Sequence, residues 1–329
     1  MPATPAALSG IEAAVRASGL EPLRVRLVAR LDCEVWRVAC RGGDDVCLRI
    51  YRESRVDRAP IEAEVAWLRL LADEGVHVPR PLADGDGQFI RRWQADPAGP
   101  PRHAVLLAWL GGRMHDRGLT PRRLHRVGVL AARLHAASAR LAQAGAIATA
   151  RRSHEVAFDD WCAGAYPGAQ ALGEGLRARA TAAAVRLRRE LDALPRDPSS
   201  WGFIHGDLHP WNLLFEGDRA GAIDFSDCGW GHRAFDLAST LQWLRHPLAG
   251  NHDHGDGRAR LEDALLEGYA SSGTLPPDAG RQIDLFIVQR LLLTLEWMLD
   301  DWPTLDHRPW GRGFLAACEG LFARWLAQG

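Results

Sequence analysis

"FIHGDLHPWNLLF", residues 203–215, sets two histidines, an aspartate and an asparagine between apolar flanks. The runs "NLLFE" and "AGAIDF" that follow, on either side of Gly217-Asp218, read as a short hairpin. The polar cluster therefore occupies a tight loop feeding a hairpin. It could bind a metal, move a proton or cap local structure. His205 and His209 are four residues apart with Asp207 between them, a spacing that faces one side only on a helix. Pro210 and the strand-like flanks argue against a helix, so a zinc triad is the weaker reading.

The acids and the amide are more informative than the histidines. Asp207 precedes Asn212 by five residues, and Asp224, in "DFSD", follows twelve residues after Asn212. That order matches phosphoryl-transfer sites, where a loop Asp, an Asn five residues on and a later Asp-Phe cooperate. The chemistry needs these residue types. One carboxylate orients the attacking hydroxyl and accepts its proton. An amide oxygen and a second carboxylate supply hard ligands for Mg2+ on a polyphosphate.

Around this loop the chain changes character. The first quarter reads as strands, "LRVRLVARL", "EVWRVAC" and "DVCLRIYR", followed by a helix, "APIEAEVAWLRLLADEG", with Ile61, Val65, Leu68 and Leu71 at helical spacing. "VPRPLADGDGQFIRRW" and "HAVLLAWL" continue the sheet. From residue 120 the pattern is helical, opening with Thr120 as N-cap and Pro121 at the first helical position. The predicted architecture is α+β with two lobes. An N-lobe, 1–108, has a small antiparallel sheet and one main helix; a larger, mostly helical C-lobe spans 109–329. A short strand-like connection near 107–112 joins them.

Composition sets limits. A formal net charge of −1 gives no global field for nucleic acid or an anionic membrane. All 40 basic residues are arginine, which excludes a Walker lysine, a PLP Schiff base and a lysine general base. Six cysteines without a C-x-x-C pair point to free thiols in a reducing cytoplasm. The N-terminus lacks a signal-peptide pattern. The most apolar helix candidate, "LFIVQRLLLTLEWML", is broken by Arg290 and Glu296 and is too short to span a bilayer.

Residues 203–240, "FIHGDLHPWNLLFEGDRAGAIDFSDCGWGHRAFDLAST", resemble the signature of the aminoglycoside phosphotransferase-like kinases. That family includes antibiotic, choline, homoserine-type and methylthioribose kinases and a bacterial stress-response protein kinase. The likeness extends more loosely over "VCLRIYR", "IEAEVAWLRLL" and "VPRPL", and covers residues 25–245. It implies the two-lobed protein-kinase fold, with ATP and Mg2+ as cofactors and a small-molecule hydroxyl as acceptor.

By position the resemblance makes Asp207 the catalytic base and Asn212 and Asp224 the metal ligands. Glu64 becomes the helix carboxylate that pairs with a cation on the third strand. Here that cation is Arg49, where the kinase pattern has lysine, and the swap is not neutral because the arginine fork is longer and planar. The hinge, including Leu107, Trp109 and Leu110, would receive adenine on backbone groups. His205 and Asp236 would brace the catalytic loop. His209 and Asp227 stay open.

Two absences narrow the class. "VARLDCEVWRV" contains no glycine, so the Gly-rich loop of protein kinases is missing, and no Ala-Pro-Glu follows Asp224. A small-molecule kinase is the better reading, with a stress-response-type Ser/Thr protein kinase or a non-catalytic nucleotide-binding module as alternatives. In "LEWMLDDWPTLDHRPW", Glu296, Asp300 and Asp301 could bind an acceptor amine and Trp297, Trp302 or Trp310 could cover a cation. Helix-packing tryptophans beside surface carboxylates explain the same pattern equally well. "NHDHGDG", 251–257, reads as a solvated loop rather than a metal tract.

Overall fold

A computed structural model describes residues 5–30, 33–51, 57–94, 100–115, 118–143, 158–245, 255–301 and 309–328. Three antiparallel strands, β1 (Pro22–Arg30), β2 (Cys33–Cys40) and β3 (Val46–Tyr51), open the sheet. They lead through α2 (Arg58–Asp73) to β4 (Pro81–Leu82), β5 (Ile90–Trp93) and β6 (Arg102–Ala108). The strand order is β1-β2-β3-β6-β4, with β5 also paired to β6. Period-two patterning divides the sheet's faces. Trp36, Val38, Leu48, Ile50 and Leu106 pack against Ile11 and Val15 of α1 (Pro5–Arg16), a helix that the strand-based reading of the first quarter does not include. The opposite face carries Arg49, Tyr51, Val105 and Leu107 toward α2 and the C-lobe.

The C-lobe contains α3 (Pro121–Gln143), the short α4 (Asp159–Cys162), α5 (Glu174–Asp192), α6 (Arg233–Arg245), α7 (Gly255–Ala270), α8 (Ala279–Asp301) and α9 (Pro309–Ala327). Thr120 caps α3 by accepting the Arg123 N–H at 3.3 Å. Between α5 and α6 lie two small antiparallel pairs. β7 (Trp201–Ile204) pairs with β10 (Gly229–His232), and β8 (Leu213–Glu216) forms a hairpin with β9 (Arg219–Ala222) through Gly217, whose φ is +57°. Of these pairs only the hairpin is visible as local spacing. The β7–β10 pair closes over 25 or more residues and needs the fold to form.

One continuous core joins α2 to the C-lobe. The Trp67 indole, fully buried on α2, meets Phe203 of β7 edge-on at 5.2 Å and Phe225 at 5.3 Å. The helix that carries Glu64 is thus packed directly on the strands that carry the loop at 205–212. The motif stretch 251–254, Trp302 and the side chain of Trp310 lie outside the described residues.

Candidate active site

The loop opens where β7 ends. His205 is fully buried, and its Nδ1 accepts the Asp207 N–H at 3.2 Å. Nε2 must then carry the proton, and it donates to the Ile223 carbonyl at 3.1 Å. Burial lowers the His205 pKa and favours this neutral form. Gly206 has φ +81°, a conformation that costs glycine nothing. The Asp236 carboxylate, at the start of α6 and wholly buried, accepts the N–H groups of His205 (2.9 Å) and Gly206 (2.8 Å). It also contacts His135 Nε2 of α3 at 3.0 Å, while His135 Nδ1 pairs with the Tyr269 hydroxyl of α7 at 2.9 Å. Burial opposes the Asp236 charge, but the His135 hydrogen bond and the loop amides outweigh it and hold the carboxyl below its usual range.

Asn212 ends a 3-10 turn, Pro210–Asn212, whose N-cap is His209: the Trp211 N–H donates to His209 Nδ1 at 3.2 Å. The Asn212 side-chain amide donates to the Asp207 carbonyl at 2.9 Å and to Asp207 Oδ2 at 3.0 Å. The Asn212 backbone carbonyl accepts the Ile223 N–H at 2.9 Å, which extends the β8–β9 register by one rung. Asp224 therefore follows directly beside Asn212, although twelve residues separate them in sequence. Asp224 adopts the left-handed conformation, φ +64°, and its Oδ1 accepts the Ser226 hydroxyl at 2.9 Å.

Arg49 enters from the sheet. Its Nη1 donates to Glu64 Oε1 at 3.0 Å, its Nη2 pairs with Asp224 Oδ1, and its Nε meets Cys33 Sγ at 3.1 Å. Glu64 takes a further hydrogen bond from the Tyr51 hydroxyl at 2.8 Å. Arg49 and Glu64 are both buried, 4% and 3% exposed. Burial works against the guanidinium charge, yet Asp224 and Glu64 overcome it and push the Arg49 pKa well above its ordinary value. Asp224 likewise sits below its usual range: burial and Asp207 push it up, and Arg49 with Ser226 brings it down.

Asp207 is held at both oxygens. Oδ2 takes Asn212 and His209 Nε2 (3.2 Å), and Oδ1 takes Arg290 Nη2 at 2.8 Å. Burial alone would raise its pKa, but His209 and Arg290 hold the carboxyl far below the usual carboxylate range. In the sequence Arg290 stands out only as an interruption in an apolar helix. An arginine amid Val288, Leu291 and Leu292 was the available signal, because such a charge requires a buried partner. His135 and Tyr51 gave no comparable signal.

The hinge and acceptor candidates fare differently. β6 ends at Ala108, and Leu107 lies buried opposite Cys47. The Trp109 N–H donates to the Asp45 carbonyl at 2.9 Å and its ring lies 4.5 Å from the Arg37 guanidinium, so this amide is already spent. Leu110 follows in the connection to α3. On α8, Glu296 accepts the Trp161 indole N–H at 3.1 Å, and Trp161 stacks on Tyr166 at 4.6 Å. Trp297 packs partly buried against the core. Asp300 and Asp301 end α8, and their side chains lie outside the described residues.

Known proteins resemble this chain in sequence and in fold. Residues 29–275 match the profile of the phosphotransferase enzyme family. A homoserine kinase from Gluconacetobacter diazotrophicus is 31% identical over 266 residues, 79% of this chain and 75% of that protein. One from Granulibacter bethesdensis is 30% identical over 71% of this chain and 67% of that protein. Among solved structures, a microcompartment-associated aminopropanol kinase superposes with TM-score 0.76 at 25% identity over 98% of both chains. An amicoumacin kinase in complex with AMP-PNP and Ca2+ superposes with TM-score 0.78 at 18% identity, covering 96% of this chain and 93% of that one. The chain belongs to the phosphotransferase enzyme family and is an ATP-dependent small-molecule kinase of protein-kinase-like fold.

Proposed function

We propose that the enzyme transfers the γ-phosphoryl group of ATP to the hydroxyl of a small amino alcohol, with Mg2+ as the divalent ion. The observation that carries this reading is the convergence of Asp207, Asn212 and Asp224, tied together by the Asn212 amide on one side and Arg49 on the other. Homoserine kinases and the aminopropanol kinase act on short molecules that carry a hydroxyl and an amine, which supports the acceptor class.

Asp207 meets the acceptor hydroxyl, aligns it with the γ-phosphorus and takes its proton as the new P–O bond forms. Asn212 turns its amide nitrogen to Asp207, which leaves its oxygen as a hard donor, and Asp224 supplies carboxylate oxygens. That donor set fits Mg2+. When bound, the ion would neutralise charge on the phosphate oxygens during transfer. Arg49, oriented by Glu64, would contact phosphate oxygens bidentately. The backbone of Leu110 is the hinge group that this reading assigns to adenine, beside Leu107. Trp297, Asp300 and Asp301 are the candidates for the acceptor ammonium; Glu296, engaged by Trp161, is the weaker one. A reducing cytoplasm suits the six free cysteines.

The test is ADP release from ATP and Mg2+ with L-homoserine, 1-amino-2-propanol and their amine-free analogues. Amino alcohols should be turned over and the analogues should be poor acceptors. ADP release with none of these acceptors, or only on addition of protein from a lysate, would overturn the reading.

A further inference from the structure

Asp207 faces an electrostatic problem. A site that takes a polyphosphate already holds Glu64 and Asp224, and the stretch 203–215 contains no arginine. Arg49 serves Glu64 and Asp224. The charge opposite Asp207 comes from 83 residues further on, at Arg290, in the middle of α8.

We propose that Arg290 is a positioning residue for phosphoryl transfer: it fixes the orientation of the Asp207 carboxylate and supplies the counter-charge that lets it stand beside ATP. This rests on the kinase reading above.

The contacts argue for a clamp. Arg290 Nη2 lies 2.8 Å from Asp207 Oδ1, Nη1 donates to the Gly206 carbonyl at 3.3 Å, and Nε donates to Gln242 Oε1 of α6 at 3.3 Å. The guanidinium carbon sits 5.7 Å from the Phe235 ring centroid, and the side chain is 12% exposed. All three guanidinium nitrogens are thus committed, two to the catalytic loop and one to a buried glutamine. A planar fork meets these acceptors in one fixed geometry, which an ammonium matches only in charge.

The same contacts count the lone pairs of Asp207. A carboxylate offers about four acceptor positions. Asn212 and His209 occupy Oδ2, and Arg290 occupies one position on Oδ1. The remaining position on Oδ1 is the one left for the acceptor hydroxyl. Without Arg290 the carboxylate can swing about its χ2 axis. Misplacement of a reacting group by about 1 Å can cost about a hundredfold in rate.

Arg290 could instead serve only to join α6 to α8. Arg290→Met, Arg290→Lys and, as a control on the same helix, Arg281→Met separate the two roles; Arg281 is 76% exposed and pairs with Glu190. With L-homoserine or 1-amino-2-propanol as acceptor, Arg290→Met should lower kcat by about a hundredfold. KM for ATP should rise far less than kcat falls, because Arg290 contacts the base and not the nucleotide. Arg290→Lys should recover part of kcat, and Arg281→Met should match the parent enzyme. A crystal structure of Arg290→Met should show Asp207 Oδ1 displaced from its parent position, with Asn212 and His209 still on Oδ2. Retention of kcat within about threefold, or an Asp207 carboxylate unmoved in that crystal, overturns the proposal. If the parent enzyme turns over neither acceptor, the amino-alcohol reading fails, and the crystal structure alone decides the role of Arg290.

Discussion

The Asn212 side-chain amide donates to Asp207 Oδ2 at 3.0 Å, so the expected metal ligand and the expected base form one hydrogen-bonded unit. Asn212→Asp replaces that donor with a second carboxylate and sets two like charges against each other. We expect kcat to fall by at least about a hundredfold, comparable to loss of a general base, and Asp207→Ala to do the same while ATP binding by calorimetry is retained. Unchanged turnover in either variant contradicts the assignment.

Arg49 joins β3, α2 and the end of the hairpin through Glu64 and Asp224. Arg49→Ala removes the guanidinium that Glu64 and Asp224 share and should destabilise the protein by about 3 kcal/mol or more, read from urea unfolding. Arg49→Lys keeps the charge but reaches only one acid at a time. Its expected effect is a KM for ATP raised about tenfold with the fold intact. Equal KM in the two enzymes would show that the planar fork is not used.

Asp236 accepts two loop amides and contacts His135. Asp236→Ala strands those donors at a cost of about 1–3 kcal/mol each, and the loop should lose its shape before the fold is lost. Stability and kcat should therefore both fall, and Asp236→Asn should recover only part of either, since one amide oxygen replaces two carboxylate oxygens.

His232, packed edge-on to Trp201 at 4.8 Å and against Phe286 at 5.4 Å, has its pKa lowered by burial and then by Arg196 to about 4. An unfolded chain takes up the proton near 6.5 and the folded chain does not. Stability is thus intact above that value and is lost as pH falls from about 6.5 to about 4, with a limiting slope of about 1.4 kcal/mol per pH unit. Urea unfolding at pH 7, 6 and 5 should show a shallower decline in His232→Phe than in the parent. Identical slopes would remove His232 from the acid sensitivity of the fold.

Local chain geometry explains what could be read in advance. Five residues separate Asp207 from Asn212 and a two-residue turn closes the hairpin, so short-range conformational rules bring these groups to the loop mouth, and "DFSD" follows β9 directly. Binary patterning announced the strands of the N-lobe and the helix bearing Glu64 for the same reason, since each element needs one apolar face. The likeness at 203–240 was legible because Asp207, Asn212 and the Asp-Phe at 224 keep the order and offsets of the kinase template.

The sequence by itself determined the α+β class and the kinase-like loop with Asp207, Asn212 and Asp224; the pairing of Arg49 with Glu64 followed only from the family resemblance. Tertiary structure alone decided the contacts that cross the chain: Arg49 to Asp224 over 175 residues, His135 to Asp236 over 101, and Arg290 to Asp207. It also spent the Trp109 amide on Asp45 and the Glu296 carboxylate on Trp161. A side chain's spacing to its neighbours is set by local backbone geometry, whereas the partner of a buried charge is set by which elements pack together. Arg290 shows the difference. Its place in an apolar helix signalled that a partner had to exist, and only the packing of α8 against α6 and the catalytic loop made that partner Asp207.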